Sequence, residues 1–375
     1  MSLPGDNQND DFVKVILVDD SSVLRGIIRR ILESDPQIKI VASVSNGELA
    51  IKEVGIKKPD VVILDVEMPV MDGLTALPGI LKASPETKVV MCSSLTEKGA
   101  SVTMKAMSLG AVECIVKPGS ALDTGPESAF QKNLIALIKS LKVSKPGRVK
   151  TAPPVSSASS VAAKADVKTD SAETPFSLKD DSRAYKGKPR IIAIGSSTGG
   201  PQALFTVLKN LKGLDIPIVI TQHMPETFTK TLTEHIQAQT GIPSHEASDN
   251  LLIERGHIYV ARGGKHMVLE ADGDSVRARL DDGPAENFCK PAVDPMLRSL
   301  IALYGPKIVC AILTGMGSDG LPGARMLVEK GGRVIAQDKQ TSVVWGMPGA
   351  VATAGLCSAV LPLDEIGPWL RKAAL

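Results

Sequence analysis

The chain has 375 residues, which is long enough for two domains, and its formal net charge of +2 gives no electrostatic argument for a nucleic-acid or membrane partner. Aromatic residues make up only 3% of the chain, so we expect no stacking platform for single-stranded nucleic acid. No apolar run approaches the roughly 20 residues that span a bilayer, no signal peptide is recognisable, and the five cysteines form no paired motif. These features predict a cytoplasmic protein with reduced thiols, no nucleic-acid partner and no membrane insertion.

Five short apolar runs alternate with amphipathic helical patterns between residues 12 and 142. Such alternation predicts an α/β domain with a five-stranded parallel sheet that helices cover on both faces. The predicted strands are Val15–Val18, Ile38–Val41, Val61–Leu64, Val89–Met91 and Val112–Val116.

Polar residues follow four of these runs. They are Asp19, Asp20, Asp65, Ser93 and Lys117. The carboxyl ends of parallel strands share one edge of a sheet, so these side chains should meet. Carboxylates that converge there repel one another unless a divalent cation lies among them, and hard oxygen ligands suit Mg²⁺. A single aspartate could instead cap a helix, as Asp20 could before Ser21, but capping does not explain why all five residues share one edge.

Three stretches of this domain resemble the receiver domain of response regulators. They are V-D-D-S at 18–21, L-D-V-E-M-P-V-M-D-G-L at 64–74 and V-K-P at 116–118, and the resemblance covers nearly all of residues 12–142. It implies a flavodoxin-like fold in which Asp65 accepts a phosphoryl group from a histidine kinase. It also implies an Mg²⁺ site and a phosphoryl-sensing pair. The Mg²⁺ ligands would be Asp19, Asp20, Asp65 and the backbone carbonyl of Glu67, and the sensing residues would be Ser93 and Lys117.

Cys114 departs from the receiver pattern, because receivers often carry an aromatic switch residue three positions before the lysine. The aromatic form of the switch is therefore not expected here. A phosphate group still adds about −1.5 to −2 charge at neutral pH, which is enough to draw hydroxyl and ammonium groups toward it.

The pattern of strands and helices stops between residues 143 and 188. The segment T-A-P-P-V-S-S-A-S-S-V-A-A-K-A-D at 151–166 is rich in Ser, Ala and Pro, and no periodic apolar face persists. This composition predicts a flexible linker. Such a linker would let the first domain dock on the second and leave it, although a passive tether has the same composition.

A second domain, predicted over residues 189–375, opens with I-I-A-I-G-S-S-T-G-G-P at 191–201. The apolar residues predict a buried strand, and Pro201 is typical of the first turn of a helix. The turn between them reads G-x-S-x-G with Ser197 in the middle, a spacing that exposes a serine hydroxyl at a sharp strand-to-helix turn. A phosphate-binding loop at the head of a helix has a similar pattern. Ser196 also lies in the turn, but Ser197 holds the central position.

Two further strand ends carry the residues that a serine nucleophile needs. His223 follows the apolar run Ile218–Thr221, and Asp319 follows the run Ile308–Leu313. A histidine can take the serine proton and return it, and an aspartate can fix the tautomer of that histidine. We therefore predict that Ser197, His223 and Asp319 meet as a catalytic triad at one sheet edge. Their order along the chain differs from that in α/β-hydrolases, so that fold is not implied.

Two members of this triad have structural alternatives. His223 could be a histidine of the core, and Asp319 could cap the helix predicted over residues 320–329. The other histidines are expected on a helix surface (His235), beside short strands (His245 and His257) and in a turn (His266). Only His223 combines the end of a buried strand with a nearby proline.

Five stretches of the second domain resemble the catalytic domain of chemotaxis protein-glutamate methylesterases. They are I-A-I-G-S-S-T-G-G-P at 192–201, T-Q-H-M-P at 221–225, K-P-A-V-D-P at 290–295, L-T-G-M-G-S-D-G at 313–320 and V-x-G-M-P at 344–348. The resemblance covers essentially the whole domain and implies a doubly wound, mostly parallel sheet with the same triad. It places Thr198 beside the nucleophile, makes the Met316 N–H an oxyanion donor, and implies no cofactor for the ester chemistry.

The order of receiver, linker and esterase is that of full-length members of this family. It implies an enzyme that demethylates glutamate methyl esters on methyl-accepting chemotaxis receptors, releases methanol and deamidates receptor glutamines. Phosphorylation by the histidine kinase of the chemosensory pathway would activate it. One alternative is a phosphorylation-switched binding module without catalysis, which an intact triad argues against. Another is a DNA-binding response regulator, which would need a basic recognition helix after the receiver.

Overall fold

The computed structural model describes residues 12–94, 96–118, 128–142, 176–180, 182 and 184–375. Within these ranges the chain forms two α/β domains, each built on its own parallel sheet. The predicted fold class is therefore confirmed. Most of the predicted linker, residues 143–188, lies outside the described residues. Among the described helices, none combines the length and the hydrophobicity of a membrane span.

A five-stranded parallel sheet forms the N-terminal domain. Its strands are β1 (Val13–Val18), β2 (Ile38–Val44), β3 (Val61–Asp65), β4 (Lys88–Ser93) and β5 (Glu113–Val116). They pair in the order β2-β1-β3-β4-β5, which is the order of flavodoxin-like folds. The helices are α1 (Ser22–Glu33), α2 (Gly47–Lys57), α3 (Gly73–Ala83), α4 (Glu97–Ser108) and α5 (Ala129–Ser140). Helices cover both faces of the sheet, which is why the central strands appear in the sequence as unbroken apolar runs.

The start of α1 decides the role of Asp20. The N-cap of this helix is Ser21, whose hydroxyl accepts a hydrogen bond from the Leu24 N–H at 3.3 Å. The alternative in which Asp20 caps the helix is therefore wrong. Its carboxylate lies instead near those of Asp19 and Asp65.

The C-terminal domain combines a seven-stranded parallel sheet with a small antiparallel one. Its strands are β6 (Ile191–Ser196), β7 (Ile218–Gln222), β8 (Ser244–Glu246), β9 (Leu251–Leu252), β10 (Ile258–Val260), β11 (His266–Asp272), β12 (Ser275–Asp281), β13 (Ile308–Ile312), β14 (Arg333–Gln337) and β15 (Ala359–Leu361). The large sheet has the order β15-β14-β13-β6-β7-β10-β8, and the small sheet has the order β11-β12-β9. The helices are α6 (Gly200–Leu208), α7 (Glu226–Thr240), α8 (Val293–Tyr304), α9 (Leu321–Glu329), α10 (Met347–Thr353) and α11 (Leu363–Ala374), with a 3-10 helix at Lys209–Leu211.

The strand order brings three loops together in the C-terminal domain. Strand β6 pairs with β13 on one side and with β7 on the other, all in parallel. The loops that follow these three strands therefore leave the same edge of the sheet side by side. Those loops carry Ser197, His223 and Asp319.

The N-terminal domain packs against this edge through α4 and β5. The Gln202 side-chain amide donates hydrogen bonds to the backbone carbonyls of Met107 at 2.8 Å and Ala111 at 2.6 Å. The Gly199 N–H donates to the Val112 carbonyl at 3.0 Å. Buried apolar residues of α4, including Met104 and Met107, belong to one continuous cluster with those of α6. The two domains thus meet where α6 begins.

Candidate active site

The turn between β6 and α6 presents Ser197 to an open cavity between the two domains. Ser197 is half-buried and lines this cavity, whose volume is about 630 Å³. Ser196, in contrast, is fully buried at the end of β6, and its hydroxyl donates a hydrogen bond to Gln222 Oε1 at 2.7 Å. Ser197 is therefore the serine of this turn whose hydroxyl can reach a substrate.

Two glycines allow the chain to approach Ser197 closely. Gly199 has a φ of 78°, and a Cβ at this position would lie 2.6 Å from Val343 Cγ2. A Cβ on Gly315 would lie 2.8 Å from the Cβ of Ser197. The Ser197 N–H donates to the Thr314 carbonyl at 3.0 Å, so the loop after β13 holds the serine turn in place.

His223 and Asp319 form a hydrogen-bonded pair at the same edge. Nε2 of His223 lies 2.7 Å from Oδ2 of Asp319, whose side chain is 2% exposed. The carboxylate also accepts from the N–H groups of Val293 at 2.6 Å and Gly320 at 2.9 Å. Burial alone would raise the pKa of Asp319, but the bond from His223 and those from the backbone lower it. Helix α9 has Gly320 as its N-cap, so the alternative in which Asp319 caps this helix is wrong.

The second ring nitrogen of His223 contacts a thiol. Nδ1 lies 3.3 Å from Sγ of Cys289. Burial alone would lower the pKa of His223, but the hydrogen bonds with Asp319 and Cys289 outweigh it and raise the pKa to about 9. Only a neutral imidazole can accept a serine proton, so His223 must lose its own proton before it can act as a base.

Two backbone N–H groups near Ser197 can bind an oxyanion. Among the described residues, the N–H groups of Thr198 and Met316 donate no hydrogen bond, and the Ser197 hydroxyl has no partner. Thr198 directly follows the serine, the position that supplies an oxyanion donor in G-x-S-x-G turns. Met316 lines the same cavity as Ser197. Both N–H groups can therefore stabilise negative charge that develops on a carbonyl oxygen.

A second candidate site lies at the carboxyl edge of the N-terminal sheet. Carboxylate oxygens of Asp19, Asp20 and Asp65 lie within 4.8 Å of one another. Lys117 Nζ lies 2.6 Å from Asp65 Oδ1 and 3.4 Å from Asp19 Oδ2. Oδ2 of Asp19 and Oδ2 of Asp65 are buried and take part in no hydrogen bond. A divalent cation would satisfy both oxygens, so this donor set fits Mg²⁺.

The surroundings of Asp65 suit an added anion. Ser93, Glu67 and Lys117 line a small pocket together with Asp65. Burial raises the pKa of Asp65 to about 6, while its hydrogen bond with Lys117 acts in the opposite direction. A phosphoryl group on Asp65 would therefore have a hydroxyl and an ammonium group within the same pocket.

Comparison with known proteins identifies the family of each domain. Residues 15–123 match the family model of the response regulator receiver domain, and residues 192–370 match that of CheB methylesterase. A protein-glutamate methylesterase/protein-glutamine glutaminase of Paramagnetospirillum magneticum is 48% identical, with 100% of this chain and 99% of the relative covered. Another, from Rhodospirillum centenum, is also 48% identical over 100% of this chain and 97% of its own length. The chain belongs to this family of protein-glutamate methylesterases.

The N-terminal unit is accordingly a receiver domain and the C-terminal unit a methylesterase domain. The crystal structure of the Thermotoga maritima CheB methylesterase catalytic domain is 40% identical, with a TM-score of 0.48. It covers 50% of this chain and 99% of its own length.

Three further side chains of the methylesterase site carry no recognisable signal of their role in the sequence, namely Asn287, Cys289 and Asp294. Asn287 Nδ2 donates to Asp294 Oδ2 and to Asp319 Oδ1, both at 3.1 Å. Asp294 is buried, and burial raises its pKa to about 6. The amide thus lies between two carboxylates that would otherwise repel each other. Asp294 lies in the K-P-A-V-D-P stretch that resembles the family. No local spacing in the sequence, however, predicts that the loop before this stretch folds over Asp319.

The remaining histidines lie elsewhere in the methylesterase domain. His266 begins β11 and is buried, with Nε2 bonded to the Pro284 carbonyl at 2.9 Å, so its predicted place in a turn is wrong. The reason is tertiary, because this imidazole ties β11 to the loop that carries Cys289. His245 lies within the short strand β8, and His257 directly precedes the short strand β10, as expected for His257. The two rings also contact each other, with His245 Nε2 3.1 Å from His257 Nδ1. His235 lies half-buried on α7.

Proposed function

We propose that this chain is a phosphorylation-activated protein-glutamate methylesterase and protein-glutamine glutaminase of methyl-accepting chemotaxis receptors. The observation that carries the proposal is the His223–Asp319 pair beside a glycine-flanked serine, at adjacent strand ends of a domain in this family. The intact pair argues against a binding module that lacks catalysis.

The chemistry begins with the Ser197 hydroxyl, which attacks the γ-carbonyl of a glutamyl methyl ester. His223 takes the proton at Nδ1, because Nε2 is held by Asp319. The N–H groups of Thr198 and Met316 bind the oxyanion, an interaction that commonly supplies the largest catalytic effect. The bond to the methoxy group then breaks, and His223 returns the proton so that methanol leaves. Water, deprotonated by the same nitrogen, attacks the acyl-enzyme and releases glutamate. With glutamine as substrate, ammonia leaves instead.

Regulation resides in the receiver domain. Asp19, Asp20, Asp65 and the carbonyl of Glu67 would hold Mg²⁺, which when bound balances the charge of a phosphoryl donor at Asp65. Ser93 and Lys117 would bind the added phosphoryl group, so that Lys117 exchanges its contact with Asp65 for a phosphate oxygen. The histidine kinase of a chemosensory pathway would be the donor. In the docked arrangement described here, the receiver domain walls the cavity in front of Ser197.

The test is methanol release from methylated receptor membranes by the full chain, with and without a small-molecule phosphodonor and Mg²⁺. We expect release to rise with the phosphodonor. The variant Ser197→Ala should lose activity by roughly 10⁴-fold or more, as other serine hydrolases do without their nucleophile. The matched control is Ser196→Ala, which removes the neighbouring hydroxyl but keeps the nucleophile.

Two outcomes would contradict the proposal. Full activity in Ser197→Ala would show that another group attacks the ester. A wild-type chain that releases no methanol under any condition, yet still binds receptors when phosphorylated, would favour the binding module.

A further inference from the structure

The first residue of β5 lies against the serine turn. The Gly199 N–H donates to the carbonyl of Val112 at 3.0 Å, and Glu113 follows Val112 directly. This hydrogen bond joins the backbones of the two domains two residues after Ser197. It fixes where the Glu113 side chain leaves the receiver domain.

The Glu113 carboxyl enters the active site itself. Burial has the largest effect on the pKa of this carboxyl and raises it, while the nearby Thr198 hydroxyl and His223 lower it. The carboxyl also accepts a hydrogen bond from the Cys114 N–H at 2.9 Å. Glu113 lines the same cavity as Ser197 and His223. Moving a carboxylate even partly out of water costs free energy unless its partners offset that cost. The position of the half-buried Glu113 in the wall of this cavity therefore calls for an explanation.

A glutamyl side chain is also what this reaction produces. If the proposed function holds, the substrate presents a glutamyl γ-carbonyl to Ser197 and leaves as a glutamyl carboxylate. We infer that Glu113 is a built-in product mimic, whose carboxyl occupies the subsite for the substrate's γ-carbonyl group, and that the Thr198 hydroxyl is a substrate-binding group of this subsite. A residue that only covers the cavity would block the entry of substrate. A product mimic, in contrast, competes with the substrate for the groups that bind it.

Strand β5 connects this carboxyl to the phosphorylation site. Glu113 is its first residue, and Lys117, which contacts Asp65 at 2.6 Å, follows its last residue. At about 3.3 Å per residue the two positions lie on the order of 13 Å apart along one strand. A shift of Lys117 toward a phosphoryl group can therefore withdraw Glu113 along the same strand.

The first experiment turns the mimic into a substrate. In the variant Glu113→Gln, the subsite would hold a side-chain amide next to Ser197. The C–N bond of that amide should break, water should supply the hydroxyl oxygen, and ammonia should leave, restoring the glutamate. Mass spectrometry of the peptide that contains position 113, after incubation of the full chain alone, would detect the conversion.

Two matched controls accompany this variant. Glu113→Gln combined with Ser197→Ala should keep its amide. Asn133→Gln places a glutamine on α5, at another receiver position in the wall of the same cavity, and it should also keep its amide. An amide that persists at position 113, in a preparation that deamidates receptor glutamines, would overturn the subsite assignment. A preparation that processes neither would overturn the proposed function instead.

A second measurement does not depend on self-deamidation. Glu113→Ala should raise the basal methanol release of the unphosphorylated chain about tenfold, as expected for losing a competing charge-assisted hydrogen bond. The same change in a Thr198→Val background should have a much smaller effect, and Thr198→Val should raise KM more than it lowers kcat. An equal gain from Glu113→Ala in both backgrounds would mean that Glu113 only blocks access, and the inference would fail.

Discussion

Both domains place their functional groups at the carboxyl edge of a parallel sheet, yet the two edges are built for different chemistry. In the receiver domain, Asp19 and Asp65 both lie within 3.4 Å of the Lys117 ammonium group at this edge. In the methylesterase domain, the same kind of edge carries a serine turn and the His223–Asp319 pair. The sheet supplies convergence in both cases, and the residues after each strand decide what the edge can do.

The two sites differ more in what completes them. Every group described around Asp65 comes from the receiver domain, whereas Glu113 and Leu134 of the receiver wall the cavity in front of Ser197. The first site can therefore change state by itself, but access to the second depends on how the domains meet. Variants in the methylesterase domain test the catalytic groups, and variants in the receiver domain test how substrate access to Ser197 is controlled.

The largest effect is expected from Asp319→Asn, which removes a carboxylate of the methylesterase site and leaves the receiver site unchanged. The amide would no longer fix the tautomer of His223 or stabilise its protonated form. We expect kcat for methanol release, measured with phosphodonor present, to fall about 10⁴-fold, the loss that the same change causes in a serine protease triad. Asp294→Asn is the matched control, because Asp294 has no hydrogen bond with His223, and it should stay within about tenfold of wild type. If kcat fell equally in both variants, Asp319 would have no special role in supporting His223.

The pH profile of the resting chain tests the docked site. Asp319, Cys289 and Glu113 face His223, and the pKa of His223 is about 9. Only the neutral imidazole can accept the serine proton, so the active fraction should rise about tenfold per pH unit below the pKa. Basal methanol release by the unphosphorylated chain should therefore rise between pH 7 and pH 9 and level off above. A flat profile over this range would mean that proton loss from His223 does not limit the resting enzyme.

Asp65→Asn removes the proposed phosphoacceptor of the receiver domain and leaves the methylesterase site unchanged. Without the phosphoacceptor, the ratio of activities with and without phosphodonor should fall to one. The ratio in wild type should lie between roughly 5 and 150, the usual range of coupling between two sites. Methanol release with acetyl phosphate and Mg²⁺ would measure it. Activation that survives Asp65→Asn would place the phosphoacceptor elsewhere.

The smallest effect is expected from Cys289→Ala. The hydrogen bond of this thiol contributes to the raised pKa of His223, so its loss should move the midpoint of the pH profile to lower pH, by roughly one unit or less. Cys114→Ala is the control, because this thiol lines the cavity but contacts Thr103 at 3.6 Å. A midpoint that stays in place in Cys289→Ala would show that the thiol does not influence the base.

Local patterns predicted both sheets and the strand ends that matter. The apolar run before Gly195 predicted a buried strand, and β6 is buried along its whole length. The glycines around Ser197 predicted the turn that the structure shows. Local patterns failed for His266, which was predicted in a turn but holds a loop in place through hydrogen bonds at both of its ring nitrogens. Its partners Pro284 and Ala292 lie 18 and 26 positions away, beyond the reach of any periodicity.

The sequence by itself determined the strand-ending residues, because apolar periodicity and glycine spacing are local properties of a chain. Only the tertiary structure decided which groups stand against His223. Cys289 and Asn287 reach the site from a loop before α8, and Glu113 reaches it from the other domain. Such contacts arise from packing between segments far apart in sequence, and no single stretch of residues encodes them.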